Sequence, residues 1–78
     1  MSINMDNLET VRSLCVEVAE LSDKVRGEMV REGQRYHERW PVNFPEGYVP
    51  ATHYGSPLSG KLRRRSMDLT RALAELRR

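Results

Sequence analysis

Residues 6–41 read DNLETVRSLCVEVAELSDKVRGEMVREGQRYHERWP, and the spacing of apolar residues in this stretch decides the fold. Val11, Cys15, Val18, Ser22, Val25, Met29, Gly33, Tyr36 and Trp40 recur at steps of four and three, alternating except for a second step of four from Met29 to Gly33. That period puts them on one stripe of an α-helix. Leu8, Leu14 and Leu21 lie beside the stripe and widen it. Asp6 and Glu9 have the spacing of a capping box at the start. Pro41 stops the helix, because proline disfavours helical backbone in the residue before it. A helix over about 7–40 would be about 50 Å long at 1.5 Å per residue. Gly27 and Gly33 each cost about 1 kcal/mol in a helix interior, so a kink or an early end near Gly33 is open at this point.

The next segment, residues 41–56, reads PVNFPEGYVPATHYGS. Three prolines and two glycines exclude helix and central strand. Phe44, Tyr48, Val49 and Tyr54 are more apolar content than a disordered linker carries. The spacing therefore predicts an ordered loop folded back over the first helix, anchored by Phe44 and Tyr48. Ser56 and Pro57 are a good N-cap and first residue for a second helix over 57–78. Its inner stripe is expected to be Leu58, Leu62, Ser66, Leu69, Leu73 and Leu76. Arg64 with Asp68, and Arg71 with Glu75, have the spacing of surface ion pairs.

The expected fold is all-α: a single domain formed by a two-helix antiparallel hairpin with a long first helix and an ordered Pro/aromatic loop. A hairpin covers only one side of each helix, so self-association into a helical bundle is the economical way to bury the rest.

With 78 residues there is room for one small core. Cys15 is the only cysteine, so an internal disulfide is excluded and a reducing cytoplasm is the expected compartment. Within the apolar stripe Cys15 reads as a buried small hydrophobe. No apolar run approaches the ~20 residues of a membrane span, and the first residues lack the pattern of a signal peptide. The net charge of +2 conceals an asymmetry: residues 1–40 hold six Lys/Arg against eight Asp/Glu, and residues 41–78 seven against three. The halves should attract each other, in one chain or between chains, and the second half should attract anions.

Several motifs are incomplete. Gly55-Ser-Pro-Leu-Ser-Gly60-Lys61-Leu62 matches a phosphate-binding loop as far as the lysine. Leu62, however, stands where that motif needs Ser or Thr for magnesium, and no strand precedes it. Glu17-Val-Ala-Glu20 resembles the first half of the acidic motif of MazG-like pyrophosphohydrolases, but no second acidic pair follows to complete a magnesium site. His37 reads as a solvent-facing helix residue, and neither it nor His53 has zinc-site spacing. No nucleophile–base constellation can be assembled, so the chain is expected to be no enzyme and to need no cofactor. The basic run lacks a nucleic-acid-binding module signature, which makes sequence-specific nucleic-acid binding unexpected.

Two candidate surfaces remain. The first is an anion site near the start of the second helix, with Gly60, Lys61, Arg64, Arg65 and Arg71 supplying amides and positive charge and Tyr54 or His53 covering the ligand. The alternative to it is a solvated basic helix. The second is a partner-binding patch of Tyr36, Trp40 and Tyr48 beside the arginines, residue types that dominate interface hot spots. The alternative there is plain packing of loop on helix.

Residues 62–74, Leu-Arg-Arg-Arg-Ser-Met-Asp-Leu-Thr-Arg-Ala-Leu-Ala, resemble the last helix of the small phage helical-hairpin anti-defence proteins of the anti-CBASS and anti-Thoeris type. The shared pattern is Leu, then Met, Leu, Thr, Arg, Ala, aliphatic, Ala. Ser66 replaces that family's aromatic before the Met, and its tryptophan before this helix is missing. The resemblance implies a homo-oligomer that sequesters a cyclic nucleotide signal in the host bacterial cytoplasm, with Thr70 and Arg71 in ligand or subunit contacts. The other expectation, from the aromatic patch, is a non-enzymatic inhibitor or adaptor that blocks a host protein complex.

Overall fold

The computed structural model describes residues 3–53 and 55–78. It contains two helices, α1 (Met5–Arg39) and α2 (Pro57–Leu76), packed antiparallel as a hairpin. Among the described residues there is no strand. The hairpin is a rod, 58 Å along its longest axis and 16–17 Å across.

α1 begins two residues earlier than the Asp6/Glu9 pattern suggests. Its N-cap is Asn4, whose side-chain oxygen accepts the Asp6 amide at 2.7 Å. The cap satisfies one of the amides that a helix start leaves without an internal partner. The helix then runs without interruption through Gly27 and Gly33 to Arg39, and the Trp40 amide closes its last turn on the Tyr36 carbonyl at 2.9 Å. α2 starts at Ser56 and Pro57 as expected. A full capping box joins Ser56 and Ser59: the Ser59 amide donates to Ser56 Oγ at 3.1 Å, and the Ser56 amide donates to Ser59 Oγ at 2.7 Å.

The seam between the helices is rotated from the one the sequence spacing suggests. Leu21 and Val25 are the buried hydrophobic residues, with Val11, Leu14 and Val18 half-buried along the same line. Cys15 and Ser22, expected inside, are exposed. On α2 the facing residues are Leu58, Leu62, Arg65, Leu69, Ala72, Leu73 and Leu76, while Ser66 is exposed. The reason is area. A partner helix that covers Leu14 and Leu21 removes more apolar surface from water than one that covers Cys15 and Ser22. The apolar stripe is wider than one helix can cover, and packing selects its larger edge.

Beyond the reach of α2, the last turns of α1 are covered by the loop. Gly33 is buried and Pro50 is buried with it. The backbone of Tyr48 and Val49 lies directly on Gly33: a Cβ there would meet the Tyr48 carbonyl, with that carbonyl carbon at 2.9 Å and Val49 Cα at 3.2 Å. Gly33, which the sequence marks as a possible helix breaker, is instead the crossing point of loop and helix. Gly47, with φ +83°, makes the turn that leads into this crossing.

Candidate functional site

The loop end of the hairpin is built around four aromatic rings. Tyr36 and Trp40 are one helical turn apart on α1, with ring centroids at 6.1 Å. Phe44 sits against both, at 5.2 Å from Tyr36 and 6.2 Å from Trp40. Tyr48 closes the group at 4.9 Å from Phe44 and 6.4 Å from Tyr36. These separations are those of offset and edge-on aromatic packing. His37 is not solvent-facing. It is half-buried, and its Nδ1 lies 2.7 Å from the Phe44 carbonyl. A carbonyl only accepts, so Nδ1 carries the proton and donates it. The loop is thus held by stacking, by the Gly33 crossing and by this bond.

Phe44 and Tyr48 are the anchors that the sequence suggests. Tyr36 and Tyr48, candidate partner contacts, spend their rings largely within the cluster. Trp40 is different: it is 43 % exposed, and the Arg39 guanidinium lies 4.9 Å over its ring. Two residues further on, Val42 is 96 % exposed at the rim of the same loop. Sequence reasoning misses Val42, because one valine in a proline-rich stretch carries no periodic signal.

The residues expected to hold an anion are only partly brought together. Lys61, Arg64 and Arg65 share a shallow surface with Pro57 and Asp68. Arg65 is committed elsewhere. Its Nε is 2.9 Å from Glu17 on α1 and its Nη1 is 3.3 Å from Asp68. The sequence spacing pairs Asp68 with Arg64 and Glu75 with Arg71. Arg65 takes Asp68 instead because it faces α1 and bridges the helices, and Glu75 pairs with Arg78 at 3.4 Å. Among the described residues, Lys61, Arg63, Arg64 and Arg71 make no ion pair. Thr70 is exposed, and its hydroxyl is bonded to the Ser66 carbonyl at 3.0 Å. Gly60 is exposed, and its amide is taken by the Ser56 carbonyl at 3.0 Å.

His53 faces carboxylates rather than these cations. It is largely buried between Glu28 and Glu32 of α1, at 3.7 and 3.5 Å, and 3.4 Å from Ser56 Oγ. Ser56 Oγ in turn donates to Glu28 at 2.8 Å. This polar cluster ties the end of the loop and the start of α2 to the middle of α1. Tyr54, the other candidate cover for an anion, lies outside the described residues. A groove of 710 Å³ between the free ends of the helices is lined by Asp6, Glu9, Asp68 and Glu75 against Arg65 and Arg71. Four carboxylates against two guanidiniums do not favour a phosphate. No group of His, Cys, Asp and Glu among the described residues is placed to hold a metal ion, and no described helix is long and apolar enough to cross a membrane.

Fold and site together define a two-helix hairpin that presents a braced aromatic loop at one end and, along its short helix, exposed cations that make no ion pair among the described residues. No protein-family model, curated protein or solved structure matches the chain.

Proposed function

We propose that this chain is a non-enzymatic protein-binding module, an inhibitor or adaptor whose contact surface is the loop end of the hairpin. The observation that carries the reading is Val42, almost wholly exposed beside the half-exposed Trp40 with Arg39 stacked on it. Trp and Arg are residue types that dominate interface hot spots, and the exposed valine beside them adds apolar surface that a partner would remove from water. The loop beneath it is held by ring packing, the Gly33 crossing and the His37 bond, and a surface fixed in advance loses less conformational entropy on binding. Both histidines are engaged in holding the loop, which leaves them poorly placed for acid–base chemistry.

The test places a photo-activated crosslinking residue at position 42 and, separately, at the exposed position 24. A discrete protein adduct at 42, absent at 24 and lost when Trp40→Ala is added, supports the reading. Equal adducts at both positions, or none at 42, overturn it. Val42→Asp tested in competition guards against a Trp40→Ala variant that folds poorly.

A second reading has its own observation. Lys61, Arg63, Arg64 and Arg71 are on exposed positions of α2 and make no ion pair among the described residues, which suits a phosphate-bearing ligand. With the resemblance over 62–74, it makes the chain an oligomeric phage anti-defence protein that sequesters a cyclic nucleotide. Native mass spectrometry separates the two. A few hundred daltons of bound mass per site, lost in Lys61→Ala/Arg64→Ala, supports sequestration. A ligand-free chain in complex with another polypeptide supports the inhibitor.

A further inference from the structure

The hairpin has two unlike sides. One is polar: Ser13 of α1 and Asp68 of α2 line its groove. Cys15 lies two residues after Ser13 and Ser66 two residues before Asp68, a rotation of about 200° on each helix, so both belong to the opposite side. It carries Leu8, Cys15 and Ser22 on α1, and Ser66 with the outer flank of the seam residue Leu73 on α2. Leu8 is 43 % exposed, Cys15, Ser22 and Ser66 are exposed, and Leu73 is only half-buried. Both helices therefore leave the uncovered edge of their apolar stripe on the same side.

We infer that this side is covered by a second copy of the chain, giving a two-fold four-helix bundle in which α1 of each copy packs on α2 of the other. The surface area calls for such a cover. The chain exposes 6342 Å², whereas a compact monomer of 9.1 kDa would expose about 4900 Å². The excess exceeds the roughly 800 Å² that one partner contributes to a standard interface. The radius of gyration, 17.4 Å, compares with about 11.5 Å for a compact chain of this length.

Charge selects the pairing. Residues 5–28 of α1, the part level with α2, hold six acids and three cations, while α2 holds five cations and two acids. Within one chain a single ion pair joins the two helices among the described residues, Arg65 to Glu17. Packing α1 on α1 would set acids against acids. Packing α1 on the partner's α2 sets them against arginines. Glu17 lies beside Arg65, and Glu28 beside Ser56. A two-fold axis along the rod keeps that register, and brings Asp23 of one copy level with Gly60 and within one helical turn of Arg63 on the other's α2.

Sedimentation equilibrium of the intact chain tests this, with circular dichroism to confirm that each variant is helical. The expected result is a particle of twice the 9.1 kDa chain mass. Cys15→Arg is expected to give a monomer, and Ser13→Arg on the polar side to stay dimeric. Asp23→Arg and Arg63→Glu are each expected to weaken the dimer about ten-fold, and the double variant to recover it. A monomeric wild type, a Cys15→Arg chain that remains dimeric, or a double variant no tighter than the singles would overturn the inference. The result is independent of what the loop end binds, since none of these positions lies there.

Discussion

The carbonyl of Tyr48 occupies the place where Gly33 would carry a side chain. Loop and helix can approach this closely only because the crossing point has no Cβ. Gly33→Ala is therefore expected to cost about 2 kcal/mol or more, the scale of an overpacked site that only a backbone shift can relieve. The loop should lift with it, so the near-ultraviolet dichroism of Tyr36, Trp40, Phe44 and Tyr48 should weaken while the helical signal persists. An alanine variant with wild-type melting and aromatic signals would show that the loop does not cross there.

Gly27 is the internal control. A methyl group added at its Cα would have nothing within 4 Å, and its backbone angles are ordinary. Gly27→Ala should stabilise the chain by about 1 kcal/mol, the difference in helix propensity. Opposite signs for the two glycine variants in the same urea titration would separate a packing requirement from a propensity penalty. Two variants that shift the midpoint the same way would contradict this assignment.

Leu21 is the most buried hydrophobic residue, at 4 % exposure, with Val25 next to it in the seam. Leu21→Ala should cost about 3 kcal/mol. A single small core rarely supplies more than about 3–5 kcal/mol, so this variant should sit near the edge of unfolding at room temperature. Val42→Ala, at the exposed rim, should leave the melting temperature unchanged. Equal effects from the two would mean that the seam is not where the stability resides.

Phe44 bridges Tyr36, Trp40 and Tyr48, and its carbonyl receives the His37 proton. Removing its ring takes away three aromatic contacts but leaves that backbone bond. Phe44→Ala should cost about 2 kcal/mol and make the loop the first site of proteolysis, with α1 and α2 still paired. Resistance of the loop to cleavage in this variant would show that the bond and the Gly33 crossing suffice without the ring.

The hairpin is legible in the sequence because its signals are local and periodic: the Ser56-Pro57 start, the Pro41 stop and the apolar spacing of both helices. The rotation of the seam is not. Cys15 and Ser22 fit the repeat as well as Leu14 and Leu21 do, and only the competition for a single covering helix separates them. Arg65 cannot be distinguished from Arg63 and Arg64 until the position of Glu17 is known. Gly33 and His53 stand out in the sequence for what they could disrupt or bind. Their roles depend on residues of another segment, Tyr48 for one and Glu28 and Glu32 for the other. Contacts of that kind leave no spacing in the sequence.

Ser56 makes one such contact that can be measured. Its hydroxyl accepts the Ser59 amide and donates to Glu28, 28 positions away. Ser56→Ala removes the cap of α2, worth about 1 kcal/mol, and also the link that ties that cap to α1. Glu28→Gln alone should cost less, because an amide oxygen can still accept the hydroxyl. If the link contributes beyond the local cap, the Ser56→Ala/Glu28→Ala pair should be less destabilised than its single variants predict, by about 0.5 kcal/mol or more. Strict additivity in urea unfolding would reduce Ser56 to a local cap, and would leave His53 with Glu28 and Glu32 as the tie between the end of the loop and the long helix.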